Sequence, residues 1–256
     1  MSRTGVALDV LVVCATPGEG EAIRRVLERR GERRVAGRPL VWGRLGGRRV
    51  GVLTAGMGKT NVGLALGAAL EAAGPAAVGA LLSVGVGGAY PGAGLEPGDL
   101  AVATEEIYGD EGVEGPQGFQ GVEATGIPLW EACGRRFFNR FPADPGLAEG
   151  LARAATGVGR ARLGPFVTVS TVTGSRRRAR ELERRWSAVC ESLEGAAAAH
   201  AAAVFGVAFA EIRGVSNPVG PRDRAVWRLA EAAAAAQAAA LAFLVGRPGP
   251  EPEPKP

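Results

Sequence analysis

The chain is poor in the residues that build metal and disulfide sites. Its 256 residues include three cysteines and one histidine. Cys14, Cys133 and Cys190 are widely separated and odd in number, so they offer neither a CxxC metal pair nor a disulfide framework. One histidine is too few for the common zinc sites. We therefore expect no bound metal and no disulfide.

The sequence also lacks an apolar run of the ~20 residues that a membrane-spanning helix needs. The longest uncharged stretches, 195–210 and 232–246, consist mostly of alanine and are typical of buried or half-buried helices. The first residues show no succession of basic, apolar and small residues like that of a signal peptide. We expect a cytoplasmic protein with no membrane partner.

Charge of one sign is only in slight excess. Thirty Lys and Arg residues stand against 26 Asp and Glu residues, a formal net charge of +4, and the pI is near 9.4. The densest basic run, 176–185, is interleaved with Glu181 and Glu183, and Glu181 can pair with Arg185 one helical turn away. This pattern indicates a solvated helix face, so we expect no nucleic-acid partner.

Aliphatic residues are abundant. Hydrophobic residues make up 46% of the chain and charged residues 22%, which is an ordinary globular composition. The length suits one domain with a large core. We expect this domain to cover residues 1–246, followed by a disordered tail at 247–256 where proline alternates with charge.

Apolar strands alternate with helical segments. Strands are predicted at 10–15, 48–55, 77–85, 100–107, 167–172, 187–190 and 207–215. Helices are predicted at 19–29, 61–73, 195–205 and 224–245 and in the Arg-rich run. The segment 85–94 reads as a flexible glycine loop and 112–165 as an irregular insertion. The alternation predicts a single-domain α/β fold with a central, mostly parallel mixed sheet flanked by helices, and with ligands beyond the strand carboxyl ends.

Two glycine-rich segments resemble nucleotide-binding loops but fail on spacing. Residues 56–60 resemble the end of a P-loop, yet Leu53 stands where the first glycine is required. The segment 85–88 would need a further glycine where Tyr90 stands to match a dinucleotide fingerprint. The first segment is then either a turn that presents backbone amides to a ligand or a helix-capping turn. The second segment either brings its backbone close to a flat ring or forms a turn that needs positive φ.

Polar residues occur at three further places. Residues 191–195 place two carboxylates three positions apart before an alanine-rich helix. Taken alone, this pattern indicates that the carboxylates stabilise the positive end of the helix dipole. A strand that ends in Ser216 and Asn217 puts an amide at the carboxyl edge of the sheet, unless Asn217 caps a turn. His200 lies among alanines, which is more typical of a packed helix position than of a catalytic one.

The ordered set of these motifs resembles one enzyme superfamily. The set comprises residues 15–21, 54–61, 85–89, 98–99, 108–110, 191–195 and 216–217. Together they resemble the purine nucleosidase and phosphorylase superfamily over about residues 10–240. Residues 211–223, followed by Trp227, resemble the futalosine hydrolases within it. The resemblance implies a homo-oligomeric, cofactor-free nucleosidase with one α/β domain, which releases hypoxanthine from the purine nucleoside futalosine in menaquinone biosynthesis.

The resemblance also implies roles for individual residues. Glu19, with Glu21 as the alternative, corresponds to the carboxylate that activates water, and Glu194 to the carboxylate that holds the ribose hydroxyls. Asn217 corresponds to the group that contacts the purine ring. The other substrate-binding residues that the resemblance implies are Val86, Gly87, Gly88, Leu193 and Ser216.

The chemistry agrees with hydrolysis of a 6-oxopurine nucleoside. Breaking the N-glycosidic bond builds positive charge on the ribose, which one carboxylate stabilises while another activates water. Glu19 would repel a phosphate dianion, which favours hydrolysis over phosphorolysis. Related nucleosidases of 6-aminopurines carry aspartate where this chain has Asn217, and a neutral amide suits the O6 and N7 edge of hypoxanthine because it can donate.

Three other functions stay open. A methylthioadenosine or S-adenosylhomocysteine nucleosidase and a purine nucleoside phosphorylase share the expected fold and differ only in the base and the nucleophile. A non-catalytic nucleoside-binding protein would keep the pocket without needing Glu19. The sequence also leaves open the size of the oligomer, whether a neighbouring subunit completes the pocket, and what contacts the 5′ substituent.

Overall fold

A computed structural model describes residues 6–74 and 76–246, and the predicted tail at 247–256 lies outside this part. The α-helices are α1 Pro17–Val26, α2 Lys59–Ala73, α3 Pro145–Thr156, α4 Arg176–Trp186, α5 Gly195–Phe205 and α6 Leu229–Val245. The strands are β1 Leu8–Cys14, β2 Glu28–Val35, β3 Arg38–Leu45, β4 Arg48–Thr54, β5 Val78–Ala89, β6 Leu100–Tyr108, β7 Gly112–Gly115, β8 Gly118–Gly121, β9 Trp130–Ala132, β10 Arg135–Phe137, β11 Arg140–Pro142, β12 Ala161–Thr168, β13 Cys190–Ser192 and β14 Ala208–Pro218.

One mixed sheet organises the described residues. Its strand order is β11-β6-β12-β13-β5-β1-β4-β3-β2, and β14 pairs with both β5 and β6. Strands β1, β4, β5 and β14 run parallel, so their carboxyl ends meet at one edge. Because β13 also pairs with β5, the strands β5, β14, β6, β12 and β13 close into a ring. The predicted single-domain α/β fold with a central mixed sheet flanked by helices is confirmed.

The helices bury their apolar faces against this sheet. A continuous core joins β1, β4 and β5 to α1, α2, α5 and α6, and its fully buried members include Val12, Leu53, Leu66 and Leu81. The alanine-rich helices pack closely because their side chains are small: α2 packs on α5, and α6 packs on α1, α3 and β14. Side chains at the ends of these packed strands therefore have well-defined positions.

The predicted flexible loop at 85–94 is wrong in its first half, where β5 continues to Ala89. Pairing with β14 on one side and β13 on the other extends the strand. A Cβ atom at Gly85 would lie 2.5 Å from Arg213 Nη1 and 2.7 Å from Glu19 Oε1. Gly85 thus serves close approach, and neither it nor the next two glycines has the positive φ that a turn would need.

The predicted irregular insertion at 112–165 is also wrong. It contains two short hairpins, the edge strand β11, the helix α3 and the first part of β12, up to Pro165. The side chain of Asp144 caps α3 by accepting the Leu147 amide at 2.9 Å. The pattern was hard to recognise because strands of three or four residues are too short to show a period.

A further hairpin, β2–β3, lies in a segment without any predicted strand. The helix α1 ends at Val26 and does not continue to Arg29 as predicted. The segment 28–35 is almost wholly charged and lies at the edge of the sheet, so it carries little apolar alternation. Ala36 and Gly37 form a tight two-residue connection between the strands, with φ of 47° and 74°.

The contact between β14 and α6 supplies a test of this packing. A Cβ atom at Gly214 would lie 1.9 Å from the backbone oxygen of Ala232, so neither element can accommodate a side chain. We expect Gly214→Ala to lower the free energy of unfolding by about 3 kcal/mol. The control, Gly63→Ala in α2, meets no heavy atom within 4 Å and should raise it by about 0.5–1 kcal/mol. Urea titrations of both variants check this, and equal stabilities would contradict it.

Candidate active site

A cavity of 410 Å³ lies at the carboxyl edge of the parallel strands, a size that suits a small ligand. Its wall is built from the ends of β5, β13 and β14, from α1, and from the segments that follow β1 and β4. All the site residues predicted from the sequence line it: Glu19, Val86, Gly87, Gly88, Leu193, Glu194, Ser216 and Asn217. The fold therefore brings together residues that are nearly 200 positions apart.

Glu19 is held rigidly at one side of the cavity. It occupies the first turn of α1 and is 7% exposed. Its Oε2 accepts hydrogen bonds from the backbone amide and the hydroxyl of Thr16, at 2.9 and 2.8 Å, and its Oε1 accepts the Val86 amide at 3.0 Å. The carboxylate thereby joins the helix start to β5.

Glu21, the alternative carboxylate, lies outside the cavity. Its oxygens contact Arg24 and Arg25 at 2.9 and 2.8 Å, on a part of α1 where its side chain is 44% exposed. These two guanidinium groups, Arg24 before Arg25, lower the pKa of Glu21. Of the two acidic residues, only Glu19 has its carboxylate at the cavity wall.

Glu194 lies just before α5, on the cavity wall, and is 6% exposed. Its Oε1 accepts the Gly58 amide at 2.9 Å and its Oε2 lies 3.3 Å from Arg213 Nη1. Burial raises the pKa of Glu194. The side chain makes no capping hydrogen bond on α5, so the donors to its oxygens come from Gly58 and Arg213. The Gly58 amide serves this protein carboxylate.

Arg213 is the residue of this site that sequence reasoning missed. It is 2% exposed and lies on β14. Its Nε donates to Glu211 Oε1 at 2.6 Å and its Nη1 reaches Glu194 Oε2 and the backbone oxygen of Val86 at 3.3 Å each. Burial alone would lower the pKa of Arg213, but Glu211, Glu194 and Glu19 raise it. A signal was present, because an acid and a base interrupt an otherwise apolar strand.

Glu191 also lines the cavity, but its oxygens are committed to the protein. Oε2 accepts the hydroxyls of Tyr90 and Thr173 at 2.9 and 2.6 Å, and Oε1 accepts the Thr173 amide at 3.0 Å. Burial raises the pKa of Glu191. This residue fixes the segment after β12 against the cavity, so the two carboxylates of 191–195 have different surroundings.

Asn217 and Ser216 form a polar corner at the end of β14. The Ser216 hydroxyl lies 2.7 Å from Asn217 Oδ1 and 3.1 Å from the backbone oxygen of Gly87. Its single proton goes to the nearer oxygen, which leaves Asn217 Nδ2 as the donor of that amide. In this structure Nδ2 donates to the backbone oxygen of Pro218 at 2.9 Å.

Apolar side chains complete the wall. Leu193, Met57, Val172 and Leu229 line the cavity together with Trp227. The guanidinium of Arg222 lies 4.8 Å from the Trp227 ring, at the same wall. A largely apolar wall with a few fixed polar groups is typical of a site for a small organic ligand.

The remaining motif residues have partners elsewhere. The Lys59 ammonium lies 2.8 Å from both Asp110 and Glu111, so the lysine of the P-loop-like segment is neutralised by protein carboxylates. His200 is half-buried, stacks on Phe141 at 4.5 Å and contacts the Tyr108 hydroxyl at 3.2 Å. His200 does not line the cavity.

In residues 6–74 and 76–246, no cluster of three or more acidic, cysteine or histidine side chains could hold a metal ion. In the same part of the chain, no helix is both long and apolar enough to cross a membrane.

Solved structures share this fold. A 5′-methylthioadenosine/S-adenosylhomocysteine nucleosidase from Neisseria meningitidis, solved with methylthio-immucillin-A, superimposes with a TM-score of 0.79 at 22% identity over 92% of this chain and 98% of that one. An S-adenosylhomocysteine nucleosidase from Streptococcus pyogenes gives 0.81 at 19% identity, over 96% and 100%. A family model described as the phosphorylase superfamily matches residues 9–245. The chain belongs to the phosphorylase superfamily and has the fold of these nucleosidases.

Curated relatives narrow this class. A futalosine hydrolase from Thermus thermophilus is 41% identical over 196 residues, which cover 77% of this chain and 81% of that protein. A futalosine hydrolase from Streptomyces coelicolor is 42% identical over 157 residues, or 60% of each chain. The chain belongs to the futalosine hydrolase family of the phosphorylase superfamily and is an N-ribosyl hydrolase.

Proposed function

We propose that this enzyme hydrolyses the N-glycosidic bond of futalosine and releases hypoxanthine, as a step of menaquinone biosynthesis. The observation that carries the proposal is the arrangement of one cavity, with Glu19 and Glu194 on its wall and the amide of Asn217 at its polar corner. The names of the curated relatives support the choice of substrate.

In the proposed reaction, the water oxygen bonds to C1′ as the bond from C1′ to the purine breaks, and Glu19 accepts a proton from the attacking water. The purine leaves as an anion, which Asn217 stabilises by a hydrogen bond and which then takes up a proton from solvent. The carboxylate of Glu19 is held by hydrogen bonds to both oxygens, so it is positioned before substrate arrives. Glu194 accepts hydrogen bonds from the ribose hydroxyls and stabilises the positive charge that develops on the sugar. Its partners Gly58 and Arg213 keep the carboxylate at the wall.

Asn217 is proposed to read the base. The Ser216 hydroxyl donates to Oδ1, and one N–H of Nδ2 donates to Pro218, so the second N–H of Nδ2 is the donor proposed for the ligand. Hypoxanthine offers acceptors at O6 and N7, whereas the 6-amino group of adenine is a donor and would need an acceptor here. This polarity favours a 6-oxopurine over the 6-aminopurine of a methylthioadenosine nucleosidase.

Hydrolysis is favoured over phosphorolysis because the nucleophile side of the cavity is anionic. Both Glu19 and Glu194 would repel a phosphate dianion. The guanidinium of Arg213 is already shared between Glu194 and Glu211. Arg24 does not line the cavity; it bonds to Thr54 and Glu21.

We further propose that a domain over 1–246 works as a homo-oligomer without a cofactor, nucleic acid or membrane partner. Support comes from Met57, which is 65% exposed at the cavity, and from Leu64, which is 66% exposed on α2. Exposed apolar side chains mark an interaction surface where they form a contiguous patch. Light scattering that gives the monomer mass would contradict the oligomer.

The product assay is the direct test of the function. With futalosine as substrate, we expect hypoxanthine release at a rate that inorganic phosphate neither supports nor increases. Faster adenine release from the 6-amino counterpart would indicate a 6-aminopurine nucleosidase. A requirement for phosphate would indicate a phosphorylase, and binding without turnover would indicate a nucleoside-binding protein.

Glu19→Gln should lower kcat by about 10²- to 10⁴-fold, because the amide keeps the shape but cannot accept a proton from water. KM should stay close to that of the wild type. The matched control is Glu21→Gln, which changes an exposed ion pair and should leave kcat within about twofold. Steady-state kinetics of both variants check this, and the opposite ranking would assign the base to Glu21.

Asn217→Asp should lower kcat/KM on futalosine steeply, by up to ~10⁴- to 10⁵-fold, because the only side-chain donor assigned to the base is lost. The measured quantity is the ratio of kcat/KM on futalosine to that on its 6-amino counterpart. The ratio should move towards the 6-amino substrate. A ratio that the substitution leaves unchanged would show that Asn217 does not read the base.

A further inference from the structure

Two carboxyl groups that the proposed reaction does not use are buried behind the site. Glu106 on β6 and Glu211 on β14 are both 0% exposed. Each has one oxygen without a hydrogen-bond partner, Oε1 of Glu106 and Oε2 of Glu211. A Cβ atom at Gly195 would lie 2.0 Å from the first oxygen and 2.4 Å from the second. The two unpartnered oxygens thus flank the same point beside the start of α5.

Two ionised carboxylates that face each other with no exposure to solvent repel strongly, because bulk water screens their charges little. One proton placed between them removes the repulsion and gives each oxygen a partner. Burial, and then the charge of Glu211, raise the pKa of Glu106 well above its ordinary value. The geometry therefore requires a carboxylic acid and a carboxylate.

The outer oxygens show which carboxyl group holds the proton. Glu106 Oε2 accepts the Thr168 hydroxyl at 2.8 Å, a neutral donor. Glu211 Oε1 accepts Nε of Arg213 at 2.6 Å, a charged donor. The negative charge is more stable beside the guanidinium, so Glu211 is the carboxylate and Glu106 donates from Oε1 to Glu211 Oε2.

We propose that Glu106 and Glu211 form a carboxyl pair that shares one proton, and that the single negative charge of this pair positions Arg213 between the active-site carboxylates Glu19 and Glu194. Glu106 and Glu211 are positioning residues because they act through Arg213. Their proposed effect on turnover rests on the roles given to Glu19 and Glu194 in the proposed function.

Arg213 contacts one active-site carboxylate and lies near the other. Its Nη1 lies 3.3 Å from Glu194 Oε2. The same Nη1 and Glu19 Oε1 lie 2.5 and 2.7 Å from one point, the place of a Cβ atom on Gly85. Without the charge of Glu211, the whole positive charge of Arg213 would act on Glu19 and Glu194. An uncompensated cation favours the charged form of a nearby carboxylate and so makes that carboxylate a weaker base.

In the part of the chain that the structure describes, no group around the pair other than Arg213 compensates its negative charge. The titratable or charged groups that face it are Tyr108 on β6, Cys190 on β13, Glu194 at the start of α5, and Arg213 on β14. Burial raises the pKa of Tyr108 and of Cys190, so both are neutral near pH 7. Arg213 is the cation among these groups, and the shared proton decides how much of its charge is compensated.

The first experiment detects the proton by stability. The folded protein holds one proton that the unfolded chain releases at neutral pH, so unfolding becomes easier as pH rises. Glu106→Gln keeps the hydrogen bond to Glu211 through its amide and holds no such proton. Equilibrium urea unfolding is measured for both proteins from pH 6.5 to 8.5 at one protein concentration. The unfolding constant of the wild type relative to the variant should rise about tenfold per pH unit, and a constant ratio would overturn the shared proton.

The second experiment compares Glu106→Gln, Glu211→Gln and the double variant in kinetics. Glu106→Gln keeps the charge on Glu211, so its kcat/KM should stay within about twofold of the wild type, with an unchanged acid limb in the pH profile. The double variant keeps the shape and loses the charge. We expect kcat/KM to fall by more than about tenfold, more than the product of the single effects, and the acid limb to move to lower pH.

Glu211→Gln alone should have an intermediate effect. Glu106 can then ionise and carry the negative charge, but it lies behind residue 211 and so farther from Arg213. If the effects of the single variants multiply to give that of the double variant, or if the acid limb does not move in either Glu211 variant, the positioning role is overturned. Should the double variant fail to fold, the shift of the acid limb in Glu211→Gln decides this point.

The two proposals can fail separately. The unfolding experiment uses no substrate, and the pH profiles use whichever nucleoside the wild type cleaves fastest. A different substrate would therefore refute the futalosine assignment and leave the carboxyl pair intact. If the ratio of the unfolding constants does not change with pH while the enzyme hydrolyses futalosine, the carboxyl pair is refuted and the futalosine assignment stands.

Discussion

The buried guanidinium of Arg213 is the group on which the geometry of the site depends. A charge at 2% exposure is stable in a protein only when it is paired and hydrogen-bonded. Here it binds Glu211 through Nε and Glu194 through Nη1, and it also contacts the backbone of β5. Because these bonds come from separate elements, they tie β14, β5 and the start of α5 to one arrangement.

Close packing of backbone supports that arrangement. Gly85 leaves room for Glu19 and Arg213 to approach the same point on β5, and Gly195 leaves room for the two buried carboxyl groups. A side chain at either position would separate charged groups that the site holds together. The glycines of this enzyme therefore act through the space they leave, and the enzyme can place polar groups within a closed ring of strands.

Part of the fold and of the cavity could be predicted from the sequence. The order of short motifs along the chain indicated the α/β class, and the family resemblance pointed to residues such as Glu19, Glu194 and Asn217, which the structure brings to one wall. The hairpins between 112 and 142 could not be predicted, because such short strands are stabilised by neighbours distant in the sequence. The same holds for the charged strand β2, which exists only through its pairing with β3.

The sequence by itself determined the alternation of the longer apolar strands with helices and the residue types that end those strands, since these depend on local composition and periodicity. Only the tertiary structure decided which hydrogen-bond and ion-pair partners each carboxylate has. Glu19 and Glu21 are two positions apart on α1, yet Glu19 accepts the Val86 amide and Glu21 pairs with Arg24 and Arg25. Glu191 and Glu194 differ likewise in their partners. The role of a carboxylate follows from the donors and charges around it, and folding brings those from distant parts of the chain.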